Sequence, residues 1–233
     1  MINSVGTFSE FQLQRSSAKM TTLMSSEQMF HAALAQTSPL ERIAMLHKVI
    51  ELQQDVWWVR ANIKLAEHHL EGWKLESLAT VCRRVIGSHV AGVEIERAIA
   101  TCLLAAGTSW SESSLTQNAL RAAVATCADA GYYRYAAWAA IEVGQHLWQH
   151  EFAEAGRACL HEAVRLATLA RESPVGDLGI GSAWLALARA ETTGGNPDLA
   201  LAAIARGLEE LPLPQPKRRD LEKMQAKILA ARV

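Results

Sequence analysis

Ala183-Trp184-Leu185-Ala186-Leu187-Ala188, then Gly195-Asn196-Pro197, then Ala200, Ile204, Leu208 and Pro212, is the stretch whose reading decides the fold. Apolar residues recurring at three- and four-residue steps mark one face of a helix. Gly195 breaks the first run, Asn196 is suited to cap the second, and Pro197 fits its first helical position. Pro212 closes it. Two helices joined by a tight turn cannot bury their own apolar face, so a pair of this kind implies stacked neighbours.

Outward from this pair the same grammar repeats. Downstream, Leu211-Pro212-Leu213-Pro214-Gln215-Pro216 reads as a short extended connector. A last helix over Lys217 to Arg232 carries Leu221, Met224 and Ile228 on one face, which should dock on the open end of the array. Its basic residues, Lys217, Arg218, Arg219, Lys223, Lys227 and Arg232, then form a solvated cap, with an acidic partner as the other reading. Upstream, helices are expected over Gly176–Glu191, Phe152–Arg171, Tyr132–Gln149 and a segment capped by Ser111 and closed at Gly131. Further helices are expected over Ala91–Ala106, Leu75–Ile86, Asp55–Leu70 and a segment opened by Ser38-Pro39. No stretch alternates with period two. The pattern predicts about five helix pairs and a closing helix in one domain, residues 27–233, behind a Ser/Thr-rich arm, residues 1–26.

The segment Ala183–Pro212 resembles a tetratricopeptide repeat. Trp184, Leu187 and Ala188 fall at the packing positions of its first helix. Gly195 falls at the turn, Ala200, Ile204 and Leu208 at the packing positions of the second helix, and Pro212 at the closing proline. Gly207 stands where the family usually has alanine. Val143-Gly144, Leu147, Phe152, Ala155 and Ala163 are similar to a second copy, and Leu65-Ala66 up to Val85 to a fainter third. The units lie about 36–45 residues apart, longer than the family's ~34. The resemblance implies an all-α fold, a right-handed α-solenoid of antiparallel helix pairs with a C-terminal capping helix. It also implies that the first helix of each pair lines a concave groove. Trp138, Ile141, Gln145 and Trp148 would face that groove from one unit, and Ser182, Leu185 and Arg189 from the next. Some family members hold a partner's C-terminal carboxylate with Lys, Asn and Arg side chains. That set is missing at the matching positions, so a more apolar peptide or helix is the expected ligand.

Composition agrees with a helical domain. Of 233 residues half are apolar and 20% charged, with a net charge of −1. No basic block gives a nucleic-acid footprint, and no run has the length of a membrane span. Cys82, Cys102, Cys127 and Cys159 have neither zinc nor redox spacing and read as small buried hydrophobes. A cytoplasmic protein is expected. Arg15 and Lys19 against the single acid Glu10 leave a transit or export signal as the other reading of the arm.

Signs of chemistry are sparse. His146 and His150 share a helix face, with Cys159 and His161 on the next helix, but no third ligand has fixed spacing. Gly176, Gly179 and Gly181 follow no strand, so they are not a phosphate loop. No catalytic residue, metal or cofactor is expected. Tyr132, Tyr133, Tyr135, Trp138, Trp148 and Phe152 crowd about twenty residues, as either inter-helix core or groove anchors. Trp138 and Trp148 fall within roughly 80° of each other around one helix. The expected function is non-catalytic binding of a protein or peptide, as an adaptor, a client-specific chaperone or an assembly subunit. The alternative is a regulatory domain that senses a ligand or signalling peptide. A third reading, an exported factor, rests on the arm alone.

Overall fold

The computed structural model of the chain describes residues 24–108, 116–149, 153–171, 180–209 and 215–231. Among them are eleven helices and no strand. These are α1 (Ser26–Leu34), α2 (Pro39–Leu52), α3 (Val56–Glu71), α4 (Leu75–Ile86), α5 (Glu94–Gly107), α6 (Gln117–Asp129), α7 (Tyr133–Gln149), α8 (Ala153–Arg171), α9 (Ile180–Thr193), α10 (Pro197–Glu209) and α11 (Gln215–Ala230). Helix α1 carries a signal of its own, a capping box in which Ser25 and Gln28 bond each other's backbone N–H. Ser38 accepts the Glu41 N–H ahead of Pro39, and Asp55 accepts the Trp58 N–H at 2.9 Å. Thr116 caps α6. The expected cap Ser111 lies outside the described residues, as do Phe152, Gly176 and Gly179.

Each helix packs on the next in chain order. In addition, the odd-numbered helices touch in series, α1 to α3, α3 to α5 and onward to α11. They therefore form one continuous layer, with the even-numbered helices set against their chain neighbours.

The α7–α8 contact is the most extensive among the described residues, and two glycines bring the backbones together. A Cβ on Gly156 would lie 2.8 Å from the Gly144 carbonyl oxygen and 2.8 Å from the Trp148 nitrogen. One on Gly144 would lie 2.6 Å from Leu160 Cγ. Residue 148 is thus beside 156 and 144 beside 160, so the pair is antiparallel. Gly207 has a similar cause: a Cβ there would stand 2.9 Å from both Trp184 Cβ and Leu221 Cδ1. The missing methyl makes room for the closing helix, whose Leu221 and Ile228 are buried while Met224 packs at the edge of the core.

The core is continuous and built mainly from Ala, Leu, Val and Ile. Cys82, Cys102 and Cys127 are buried in it and Cys159 is half-buried. The Cys102 and Cys127 sulfurs are 3.8 Å apart, and burial pushes the Cys82 thiol up to about 12. One buried charge is compensated: Glu191 accepts from Arg157 at 2.5 and 3.0 Å and from Asn196 Nδ2 at 3.0 Å. This joins α8, α9 and the α9–α10 turn.

Candidate functional site

A groove of about 600 Å3 crosses the odd-numbered layer. Helix α3 and the turn after it contribute Leu70, Glu71 and Trp73, and α5 contributes Ala106. Helix α7 supplies Arg134, Trp138, Ile141, Glu142 and Gln145, a stripe at three- and four-residue steps. Helix α9 supplies Ser182, Leu185, Ala186 and Arg189, and α11 supplies Lys217. Ile141 and Leu185 are nearly buried in its floor, whereas Trp138, Gln145 and Ser182 remain half-exposed and Arg189 is exposed.

Six residues assigned to the groove from sequence, Trp138, Ile141, Gln145, Ser182, Leu185 and Arg189, line this one cavity. Trp148 does not. Its backbone abuts Gly156, its ring lies where a Gly194 side chain would start, and the Arg157 guanidinium sits 5.3 Å from its centre. The helical angle left both options open. The close approach of α8 takes Trp148 into the junction of α7, α8 and the α9–α10 turn.

The aromatic cluster divides in the same way. Tyr135 is buried and donates its hydroxyl to Glu67 on α3, which also pairs with Lys64 at 2.9 Å. Burial, with Glu67 beside it, pushes the phenol well above its ordinary range. Trp138 meets Tyr135 edge-on at 6.1 Å and turns its other side to the groove. Arg134 stacks 4.4 Å from the centre of the Trp138 ring and lies 4.0 Å from Glu71.

Two groove residues carried little signal in the sequence. Glu142 is half-buried and has no hydrogen bond or ion pair among the described residues. Loss of solvent alone pushes its carboxyl up to about 7. Trp73 is 82% exposed and has φ +54°. It occupies the left-handed position of a helix-ending turn in which Trp73 N–H donates to Leu70 and Lys74 N–H to His69. The turns after α6 and α9 have the same bonding with Gly131 (φ +80°) and Gly195 (φ +72°) at that position. A side chain there costs about 1–2 kcal/mol, partly offset by glycine's looser unfolded state. Trp73→Gly is therefore expected to stabilise the fold by about 0.5–1 kcal/mol, read as a higher Tm. A lower Tm would mean that the exposed ring makes contacts worth more than the strain.

The histidines do not join the groove. His161 lies on a separate cavity of about 260 Å3 with Arg157, Trp184 and Arg206. His150 is outside the described residues. Among the described residues no three His, Cys, Asp or Glu side chains converge, and no helix is long and apolar enough to cross a membrane. No protein-family model, curated protein or solved structure matches the chain.

Proposed function

We propose that the chain is a divergent tetratricopeptide-like, right-handed α-solenoid that binds a protein or peptide segment along its odd-numbered helices. In this reading it acts without catalysis, in the cytoplasm, as an adaptor, client-specific chaperone or assembly subunit. The observation that supports it is the groove itself. It runs across five successive odd-numbered helices and combines an apolar floor with an aromatic and polar rim. Such a surface suits a chain segment better than a compact metabolite, because contacts are spread along its length and anchored by a few aromatic side chains.

The test is to obstruct the groove without disturbing the core. Ser182→Arg and Gln145→Arg replace half-exposed side chains with longer ones inside the cavity. The double variant is expected to melt within a few degrees of the unchanged protein and to lose the partner that the unchanged protein retains on affinity purification. Retention of that partner at equal affinity by the folded variant would remove the groove as the binding site.

A further inference from the structure

Among the described residues, Glu142 is the groove carboxylate with no hydrogen bond or ion pair. Glu71, from α3, is largely in water and lies within reach of Arg134. Glu142 is withdrawn from water on α7 and faces a cavity wide enough for a ligand. Among the described residues, the charged groups that line the cavity with it are Arg134 on its own helix, Glu71 on α3, Arg189 on α9 and Lys217 on α11, and His146 follows it one turn later on α7. None forms an ion pair with it among the described residues. Arg134 stacks on the Trp138 ring and lies 4.0 Å from Glu71, its buried Nε without a hydrogen-bond partner among the described residues. Arg189 and Lys217 belong to the α9–α11 side of the groove.

A half-buried carboxylate left unpaired is costly, and a cation arriving from outside relieves that cost. Resting on the reading of the groove as a peptide site, we infer that its occupant is a peptide segment that sets a lysine or arginine on Glu142. Apolar residues flank that cation against Trp138, Ile141 and Leu185, and an acidic residue follows toward Arg189 and Lys217. The alkyl stem of the basic side chain matches the apolar surroundings, since such stems lie along apolar surface while the charged head makes the polar contact. Trp73, standing exposed at the rim from the α3–α4 turn, offers a further flat surface to the same segment. The order of charge along the groove, Glu71 and Glu142 at α3 and α7 with Arg134 stacked on Trp138, then Arg189 and Lys217 at α9 and α11, also sets the direction in which the segment lies.

A phage-displayed library of random dodecapeptides separates this inference from the reading it rests on. It is panned against the full chain, against Glu142→Gln and against the Ser182→Arg, Gln145→Arg variant. The unchanged protein is expected to enrich peptides with a basic residue at one fixed place among apolar ones. A synthetic peptide from that set should bind Glu142→Gln at least tenfold more weakly. Its affinity for the unchanged protein should rise between pH 6 and 8, as Glu142 becomes charged, and be flat for Glu142→Gln. Enriched peptides without a basic position, or equal affinity for Glu142→Gln, would overturn the inference and leave peptide binding standing. No enrichment at all, or equal enrichment on the obstructed variant, would overturn both.

Discussion

Gly156→Ala is expected to destabilise the chain sharply, although in an open helix the same change would be favourable by about 1 kcal/mol. The added methyl meets the Gly144 carbonyl oxygen at 2.8 Å, the Trp148 nitrogen at 2.8 Å and Trp148 Cα at 3.1 Å. All three are backbone atoms of α7, so no rotamer change relieves the contact. The helices must separate, and α7–α8 is the most extensively packed pair among the described residues. Overpacking of this kind typically costs ~1–3 kcal/mol and more where nothing yields. A net loss of about 3 kcal/mol corresponds to a fall of roughly 6–12 °C in Tm for a chain of this size. Thermal unfolding followed by circular dichroism measures it. A Tm equal to or above that of the unchanged protein would mean that the two backbones are not this close. The readout has a functional side, because α7 carries five of the groove residues and its position depends on this contact.

The same contact marks the boundary of what the sequence makes legible. The helix–turn–helix pairs are written locally. Gly195 takes positive φ, Pro197 opens α10, and the apolar faces of α9 and α10 recur at helical spacing, so these two helices could be placed from their own residues, whereas α1 was not read from the sequence. The groove residues came from the resemblance to a tetratricopeptide repeat, and Trp138, Ile141 and Gln145 on α7 with Ser182, Leu185 and Arg189 on α9 line one cavity. What local pattern does not contain is the distance between elements. Trp148 lies close in angle to Trp138, yet it is drawn into a junction because residue 156 has no side chain. Gly207 reads as a departure from a family pattern until Trp184 and Leu221 are seen to occupy the space of its missing methyl. Trp73 is hidden for another reason. Gly72 beside it carries the breaker signal, and only the backbone reveals that the left-handed residue is the tryptophan. Glu142, the single acid of an alanine-rich helix, gives no sign from sequence of how dry its carboxyl is.

That dryness gives Glu142→Gln an unusual expected result, a gain in stability at neutral and alkaline pH. The carboxyl titrates near 7 in the folded chain against an ordinary value of 4.5. The folded state therefore holds the proton more tightly than the unfolded state. Above pH 7 both states are ionised and the folded protein bears the full cost of the buried charge. Below about 4.5 both are protonated and the cost is gone. Stability from this group thus increases as pH falls through the interval from 7 to 4.5. The interval corresponds to about 3 kcal/mol at most, and partial exposure reduces this to about 2 kcal/mol. Glutamine keeps the shape and removes the charge, so the variant should be more stable by about that amount at pH 8 and nearly equal to the unchanged protein at pH 4.5. Urea unfolding at the two pH values gives the difference directly. A gap of the same size at both, or a variant less stable at pH 8, would show that Glu142 is not held as a desolvated, unpaired carboxyl. With the predicted sign, the stability given up at neutral pH is the free energy that a basic side chain from a partner would recover on docking.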